Sequence, residues 1–343
     1  MKDFSTNSPP SLSNMAVHIF VLNQKNFTTC IQRGVAAIPD AERSHINDQL
    51  ISRMASIRRG DLILFYVTGK KEIYGVYKAL DKAFYDESKV WESEDSQVYP
   101  FRVRIDNTNY VFEKPILLSD IYDLRDNGRI WTFGLISPTG RVNSMFSISE
   151  IEYEEVLQLF LKANQILKEP IHISEPYRHV EPNILSKLTF DEKQQPKYEA
   201  TLASLFLDSI SRKCHTEIFG EYSDYLSYIP TSFQKEIDVL LLHSYPGKKE
   251  LVFAYSIIEL KKDSFNEDGL SQLLRYEDWF LKKRVNGDSR SIRTVAIART
   301  FHNDVIQYLQ RREKLEGKQV TLLKYKVLEG KLNFEQQIVE LML

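Results

Sequence analysis

The chain has 343 residues, and at roughly 150 residues per domain that length predicts two domains rather than one core. With 27% charged and 43% apolar residues it is a globular composition, neither disordered nor fibrous. Lys and Arg number 45 against 47 Asp and Glu, a net charge of −2, which speaks against a nucleic-acid binder of the ordinary basic kind.

Residues 1–14 are polar, with Pro9-Pro10, and read as a disordered tail without the apolar stretch of a secretion signal. No run approaches the roughly 18 apolar residues of a spanning helix, so no membrane is expected. Two cysteines, Cys30 and Cys214, make no disulfide framework and point to a reducing cytoplasm. From Val17 to about Lys162 the pattern is mainly short strands. Ile63 to Val67 reads as a buried strand, Thr68 to Lys71 as a turn, and Ile73 to Tyr77 as the hairpin partner. Phe101-Arg102-Val103-Arg104-Ile105 alternates apolar and basic residues, which sets both arginines on one strand face. Ser149 to Ile166 has helical spacing with Ser149 as cap and acids in the first turn. Short strands with one or two helices predict a small β-barrel over residues 15–166. Prolines 170, 176, 182 and 196 mark 167–196 as a linker, with a short helix near Ile184 to Leu188.

Beyond Pro196 the pattern changes. A helix is predicted from Tyr198 to Lys213, strands over Ile237 to His243 and Leu251 to Leu260, and a helix from Leu270 to Lys283. A strand follows at Thr294 to Ala298, a helix at Asn303 to Lys314 and a strand at Val320 to Val327. That order predicts an α/β core with a mixed sheet over 197–343.

The sharpest feature is Ile258-Glu259-Leu260-Lys261 at the end of an apolar strand. Residues two apart in a strand share a face, so Glu259 and Lys261 point the same way. A hairpin turning between Lys248 and Lys249 sets Asp238 opposite Glu259, with β-carbons about 5 Å apart. Two carboxylates so placed repel unless a hard divalent cation compensates them. Glu-x-Lys alone is also what any strand shows where it emerges into solvent. Gln272 and Tyr276 lie one helical turn apart just downstream, and Glu199 opens the helix upstream. Glu236 shares a face with Asp238 and competes with it for the acidic role. Cys214-His215 and the seven histidines show no metal-ligand spacing and read as structural.

Glu199, Asp238, Glu259-Leu260-Lys261 and Gln272-x-x-x-Tyr276, in that order, resemble the PD-(D/E)xK nuclease core, restriction-endonuclease-like, in its RecB-like branch. Glu236 to Leu241 with the two later motifs is similar to the catalytic domain of NucS-type endonucleases. The resemblance implies that Asp238 and Glu259 ligate Mg²⁺ (or Mn²⁺ in its place), with Glu199 helping directly or through water. It makes Lys261 the catalytic lysine and gives Gln272 and Tyr276 a positioning or DNA-contacting role.

In the first half, Arg59-Gly60-Asp61 leading to Phe65-Tyr66, Ile73 to Tyr77 with Tyr85-Asp86 and Trp91, and Tyr99-Pro100-Phe101-Arg102 resemble the EVE branch of PUA-like domains. Such domains hold an extruded, modified base in an aromatic pocket, where rings stack on it and polar groups read its edge. Trp91, Trp131, Tyr66, Phe65 and Phe133 are the candidates for that pocket, and Arg102 and Arg104 for phosphate contacts. The alternative for each is an ordinary core ring or a solvated strand face.

The two resemblances together imply a modification-dependent, restriction-type DNA endonuclease, prokaryotic and cytoplasmic. Its first half would read a base such as a substituted cytosine in double-stranded DNA, and its second would cut as a homodimer. A mismatch or branched-DNA repair nuclease and a non-catalytic nucleic-acid-binding protein are the alternatives. Neither half is basic, with 19 basic and 21 acidic residues over 1–165 and 26 of each over 166–343. Only Lys282 to Lys318 shows a surplus, ten basic against four acidic, read as a phosphate-tracking surface or a solvated face.

Overall fold

The computed structural model describes residues 15–91, 97–166, 168, 169, 173, 176–178 and 183–337. The expected tail over 1–14 and much of the proline-marked linker lie outside them.

The N-terminal half runs β1 (Val17–Leu22), α1 (Gln24–Arg33), β2 (Val35–Ile38), α2 (Ser44–Met54), β3 (Leu62–Val67), β4 (Glu72–Ala79), β5 (Phe84–Tyr85) and β6 (Phe101–Asn107). It continues with β7 (Ile116–Leu117), α3 (Leu118–Asp126), β8 (Met145–Ile148) and α4 (Glu150–Ala163). Its sheet is ordered β2-β6-β4-β3-β1-β8, with β5 and β7 pairing β6 and β4. The β3–β4 hairpin turns at Thr68 to Lys71 as the sequence predicts. β1 and β3 are parallel, which requires the α1-β2-α2 crossover between them. The small barrel expected over this half takes the form of a half-barrel sheet with β2 and β8 at its two ends, and no ladder among the described residues joins them. Ser149 caps α4 as predicted, its hydroxyl accepting from Glu152 N–H.

The C-terminal half contains α5 (Glu199–Ser211), α6 (Thr216–Phe219), β9 (Asp224–Pro230), β10 (Glu236–Tyr245), β11 (Lys248–Leu260), β12 (Ser264–Phe265) and α7 (Glu267–Lys283). It ends with β13 (Ile292–Ala298), β14 (Thr300–Phe301), α8 (Asn303–Glu316), β15 (Val320–Leu328) and β16 (Lys331–Gln336). The sheet order is β16-β15-β13-β11-β10-β9. β11, β13 and β15 are parallel and the other neighbours antiparallel, so the sheet is mixed. α7 and α8 supply the crossovers, and the central β13 is a buried apolar run from Val295 to Ala298, whereas β15 interleaves lysines with its buried residues.

The halves share one core. Phe20, Ile51 and Met54 belong to the same apolar cluster as Leu202, Phe206, Val239 and Ile258. Helices α2 and α5 pack against each other across the seam. Arg58 Nη2 donates to Asp208 O (2.9 Å) and Oδ1 (2.8 Å), and Tyr225 OH donates to Ser56 O (3.1 Å). The described part of the 167–196 connection is packed as well: Tyr177, Ile184 and Leu188 are buried, with a single 3₁₀ turn at Ile184–Lys187.

One seam contact is pH-sensitive. Buried Asp224 accepts from Glu150 N–H (2.8 Å) at the start of α4. Burial pushes its carboxyl up to about 7, against the hydrogen bonds from Glu150 and Tyr225. A raised acid contributes stability that is complete below its unfolded value and is lost as pH rises through the folded one. Stability should therefore fall between pH 4 and 8, by up to about 1.4 kcal/mol per pH unit. Asp224→Asn should flatten that dependence in urea unfolding at pH 5 and 8; parallel curves for the two proteins would refute the assignment.

Candidate functional site

The β10–β11 hairpin builds the site. Its regular ladder runs from His243 opposite Ala254 to Val239 opposite Ile258, which sets Asp238 against Glu259 as predicted. The turn is not where the sequence reading put it. Tyr245 pairs with Lys248, so the chain reverses at Pro246-Gly247, and irregularities around Ser244 absorb the extra residues of β11. The bulged strand restores the register that a turn at Lys248-Lys249 would have given.

Glu259 is 0% exposed. Lys261 Nζ donates to Glu259 Oε1 (2.7 Å) and to Glu199 Oε1 (3.3 Å). Asp238 Oδ2 accepts from Leu260 N–H (2.8 Å). The structure thus brings Glu199, Asp238, Glu259 and Lys261 together, from α5, β10 and β11.

Burial and then the charge of Glu259 push the Asp238 carboxyl well above its usual range. Burial likewise raises Glu259, to about 7, although Lys261 pulls it down. Burial would lower Lys261, but Glu259, Asp238 and Glu199 together outweigh it and hold the ammonium above its ordinary value. Lys261 is therefore a cationic donor at neutral pH. It can orient a water and offset phosphate charge, but it has no free lone pair with which to act as a base.

The donor set suits a hard divalent ion. Glu259 Oε2 is buried and without a hydrogen-bond partner, and the acidic pair is all oxygen. Among the described residues no three Asp, Glu, His or Cys side chains are gathered closely enough to hold a metal. Glu199 is turned to Lys261 instead. An ion here would rest on Asp238 and Glu259, with waters completing its shell, as Mg²⁺ prefers.

Tyr276 and Gln272 stand behind the site. Gln272 Nε2 donates to Tyr276 OH (2.7 Å), and Tyr276 OH donates to Glu236 O (2.5 Å). Tyr276 is fully buried and stacks on Phe233, so it anchors the start of β10 and has no surface to offer DNA.

The base-pocket candidates fare differently. Phe65 is 0% exposed and packs edge-on against Phe27 and Tyr77, so it is core rather than a stacking platform. Tyr66 and Phe133 are likewise buried in the second apolar cluster. Trp131 lies at the seam, edge-on to Phe280 with the Arg284 guanidinium 4.1 Å from its ring centre. Arg102 is corrected as a phosphate contact: at 1% exposure, it donates to Asp86 (3.0 Å), Tyr99 O (2.7 Å) and Tyr177 OH (2.8 Å). Arg104 donates to Asp81 Oδ2 (2.6 Å) on a half-buried strand face. Trp91, in contrast, borders a cavity. That cavity, of about 260 Å³, is lined by Trp91, Tyr99, Arg102, Ser88 and Lys89 among others. Tyr99 was missed as a pocket residue; its place beside Trp91 (ring centres 5.4 Å) follows from chain folding between β5 and β6.

The basic run from Lys282 to Lys318 is largely spoken for. Arg284 serves the seam, Lys282 pairs with Asp278, Arg290 with Asp288, and Arg312 with Glu277.

The model of the EVE domain family matches residues 44–159. That segment of the N-terminal half is therefore similar to EVE domains. The EVE match begins at the first residue of α2, so β1, α1 and β2 lie outside it although β1 completes the same sheet. No curated protein matches the chain. Among solved structures, human THYN1 protein in complex with 5-methylcytosine-containing DNA is 16% identical, at TM-score 0.30 with 42% of this chain and 97% of that one covered. The YTH domain of Zygosaccharomyces rouxii MRB1 with N6-methyladenosine RNA is 13% identical, at TM-score 0.25 with 43% and 86% covered. A repair endonuclease from Pyrococcus abyssi is 18% identical, at TM-score 0.27 with 37% of this chain and 47% of that chain covered. No helix of the described residues is long and apolar enough to cross a membrane.

Proposed function

We propose that this chain is a modification-dependent DNA endonuclease: the EVE domain reads a modified base in duplex DNA, and the C-terminal half hydrolyses a phosphodiester nearby. The observation that carries the reading is the convergence of Asp238, Glu259 and Lys261, from two strands, with Glu259 fully buried and one oxygen unsatisfied. Two buried acids raised side by side, with a lysine on the same face, are the kind of arrangement by which active sites shift acid strength. The similarity to EVE domains supports a nucleic-acid substrate.

Mg²⁺, held by Asp238 and Glu259, would supply Lewis acidity toward a phosphoryl oxygen and an activated water. Lys261 donates from the same face and stabilises charge that develops on the phosphate. Glu199 accepts from Lys261 and steadies it. Gln272 and Tyr276 hold the start of β10, and so Asp238, in place. The cavity between Trp91 and Tyr99 is the candidate base pocket, with Arg102 forming its wall. Cutting both strands needs two such sites, which a homodimer provides.

The test is a cleavage panel with Mg²⁺, using duplexes that carry 5-methylcytosine, 5-hydroxymethylcytosine, N6-methyladenine or no modification. Cutting of one modified duplex well above the unmodified control is expected. Equal cutting of all, or of none, would sink the reading.

A further inference from the structure

The carboxylate site receives side chains from the other half. Helix α2, the first element of the EVE match, packs on α5, which carries Glu199, and its side chains reach β9 and the start of β10. Buried Asp48 of α2 accepts from Thr189 N–H (3.1 Å), from Thr189 Oγ1 (3.0 Å) and from Thr201 Oγ1. Thr201 sits in the first turn of α5, two residues beyond Glu199. Ser52 of α2 is hydrogen-bonded to Tyr228 OH on β9 (2.5 Å). Arg53 of α2 reaches furthest. Its guanidinium lies 4.7 Å from the Tyr228 ring centre, donates to Met145 O (3.3 Å) and comes within 4.0 Å of Glu236 Oε2. Arg53 and Glu236 are 15% and 17% exposed, so water screens the pair only partly.

We propose that α2 completes the cutting site, with Arg53 acting as a positioning residue that holds Glu236, and thereby the start of β10 bearing Asp238. Asp48 does the same for the first turn of α5 and Glu199. Two physical points favour this. Glu236 shares a strand face with Asp238, and without a cation beside it a third carboxylate would crowd the acidic pair. Its backbone carbonyl is tied to Tyr276 by a hydrogen bond, and its carboxylate, whose Oε1 is buried without a hydrogen-bond partner, has Arg53 as an ion-pair partner at 4.0 Å. The cutter is therefore not a separate module on a tether: an element of the recognition half forms part of its support.

The proposal rests on the nuclease reading, and its test separates the two. In the full chain, Arg53→Gln and Arg53→Lys are compared with wild type. The measurements are single-turnover cleavage of the duplex that wild type cuts best, affinity for that duplex in EDTA, and melting temperature. Arg53→Gln should lower the cleavage rate about tenfold or more, the scale for a residue supporting a ligand from behind. Duplex affinity and melting temperature should stay near wild type, and Arg53→Lys, which keeps the cation, should recover most of the rate. An unchanged rate in Arg53→Gln overturns the proposal. So does a loss that Lys does not recover, or one that comes with an equal loss of affinity and melting temperature. A wild type that cuts no duplex and binds no Mn²⁺ by electron paramagnetic resonance overturns the nuclease reading itself, and this role with it.

Discussion

Lys261→Ala should lower cleavage by about 100- to 1,000-fold, the scale for removing one preorganised donor from a charge-developing site. The loss should be electrostatic and specific. Lys261 is the hydrogen-bond partner of Glu259 Oε1, and Glu259 is completely buried. Without the ammonium, that acid would sit unpaired in a low-dielectric pocket and take up a proton at neutral pH. The single substitution should therefore reduce activity and stability together. Adding Glu259→Gln should restore stability, because a neutral amide no longer needs the cation, while leaving the protein inactive. Urea midpoints and single-turnover rates of the two single variants and the double variant check this. If Lys261→Ala retains a tenth or more of the wild-type rate, Lys261 is not the group that offsets phosphate charge.

Glu152→Ala should be the most damaging substitution for stability away from the site, costing about 3–5 kcal/mol. Glu152 is 2% exposed and gathers donors from two segments. Its carboxylate accepts from Trp131 N–H, Thr132 N–H (3.0 Å), the Thr132 hydroxyl, Ser149 N–H (3.2 Å) and Ser149 Oγ (3.0 Å). Alanine would leave buried donors without acceptors and remove the reciprocal half of the α4 capping box, in which the Glu152 side chain accepts from Ser149 N–H. The damage should spread to the seam. Trp131, whose backbone Glu152 holds, carries Arg284 against its ring and Phe280 against its edge. Urea unfolding measures the loss; a change below 1 kcal/mol would mean that water replaces the carboxylate. Glu152→Gln, which keeps one acceptor oxygen, should lose less.

The parts that local pattern predicts are the ones whose energy is local. Ser149 caps α4 because a short hydroxyl side chain can satisfy the helix's own first-turn N–H groups. The apolar runs at Leu240 and Ile257 become central strands because nothing else buries so many adjacent branched residues. The pairing of Asp238 with Glu259 was legible too, although the chain turns at Pro246-Gly247 rather than at Lys248-Lys249; the irregular pairing around Ser244 makes up the difference. Helices α1 and α2 went unread for different reasons. α1 is polar and carries few apolar residues, chiefly Phe27, Cys30 and Ile31. α2 has a usable signal in Ile46, Leu50, Ile51 and Met54 at helical spacing, which the short-strand pattern around it obscured.

The near-neutral charge and the length mark the limits of composition. Length predicts two units, and the described residues form one large sheet in each half, with β12 and β14 paired separately, but the sequence offers no hint that the halves share one core through α2 and α5. Charge argued against nucleic acid; the run from Lys282 to Lys318 then shows that much of the local surplus is spent on ion pairs and on the seam. By itself the sequence determined the strand-borne Glu259–Lys261 motif, its register against Asp238 and the helix that carries Gln272 and Tyr276, since these depend on pleat, pairing and helical period. Only the tertiary structure decided which aromatics are core, that Arg102 is consumed by Asp86 and Tyr177, and that Arg53 reaches Glu236 from a helix of the other half. Burial and partners across more than a hundred residues are properties of packing, and no local spacing encodes them.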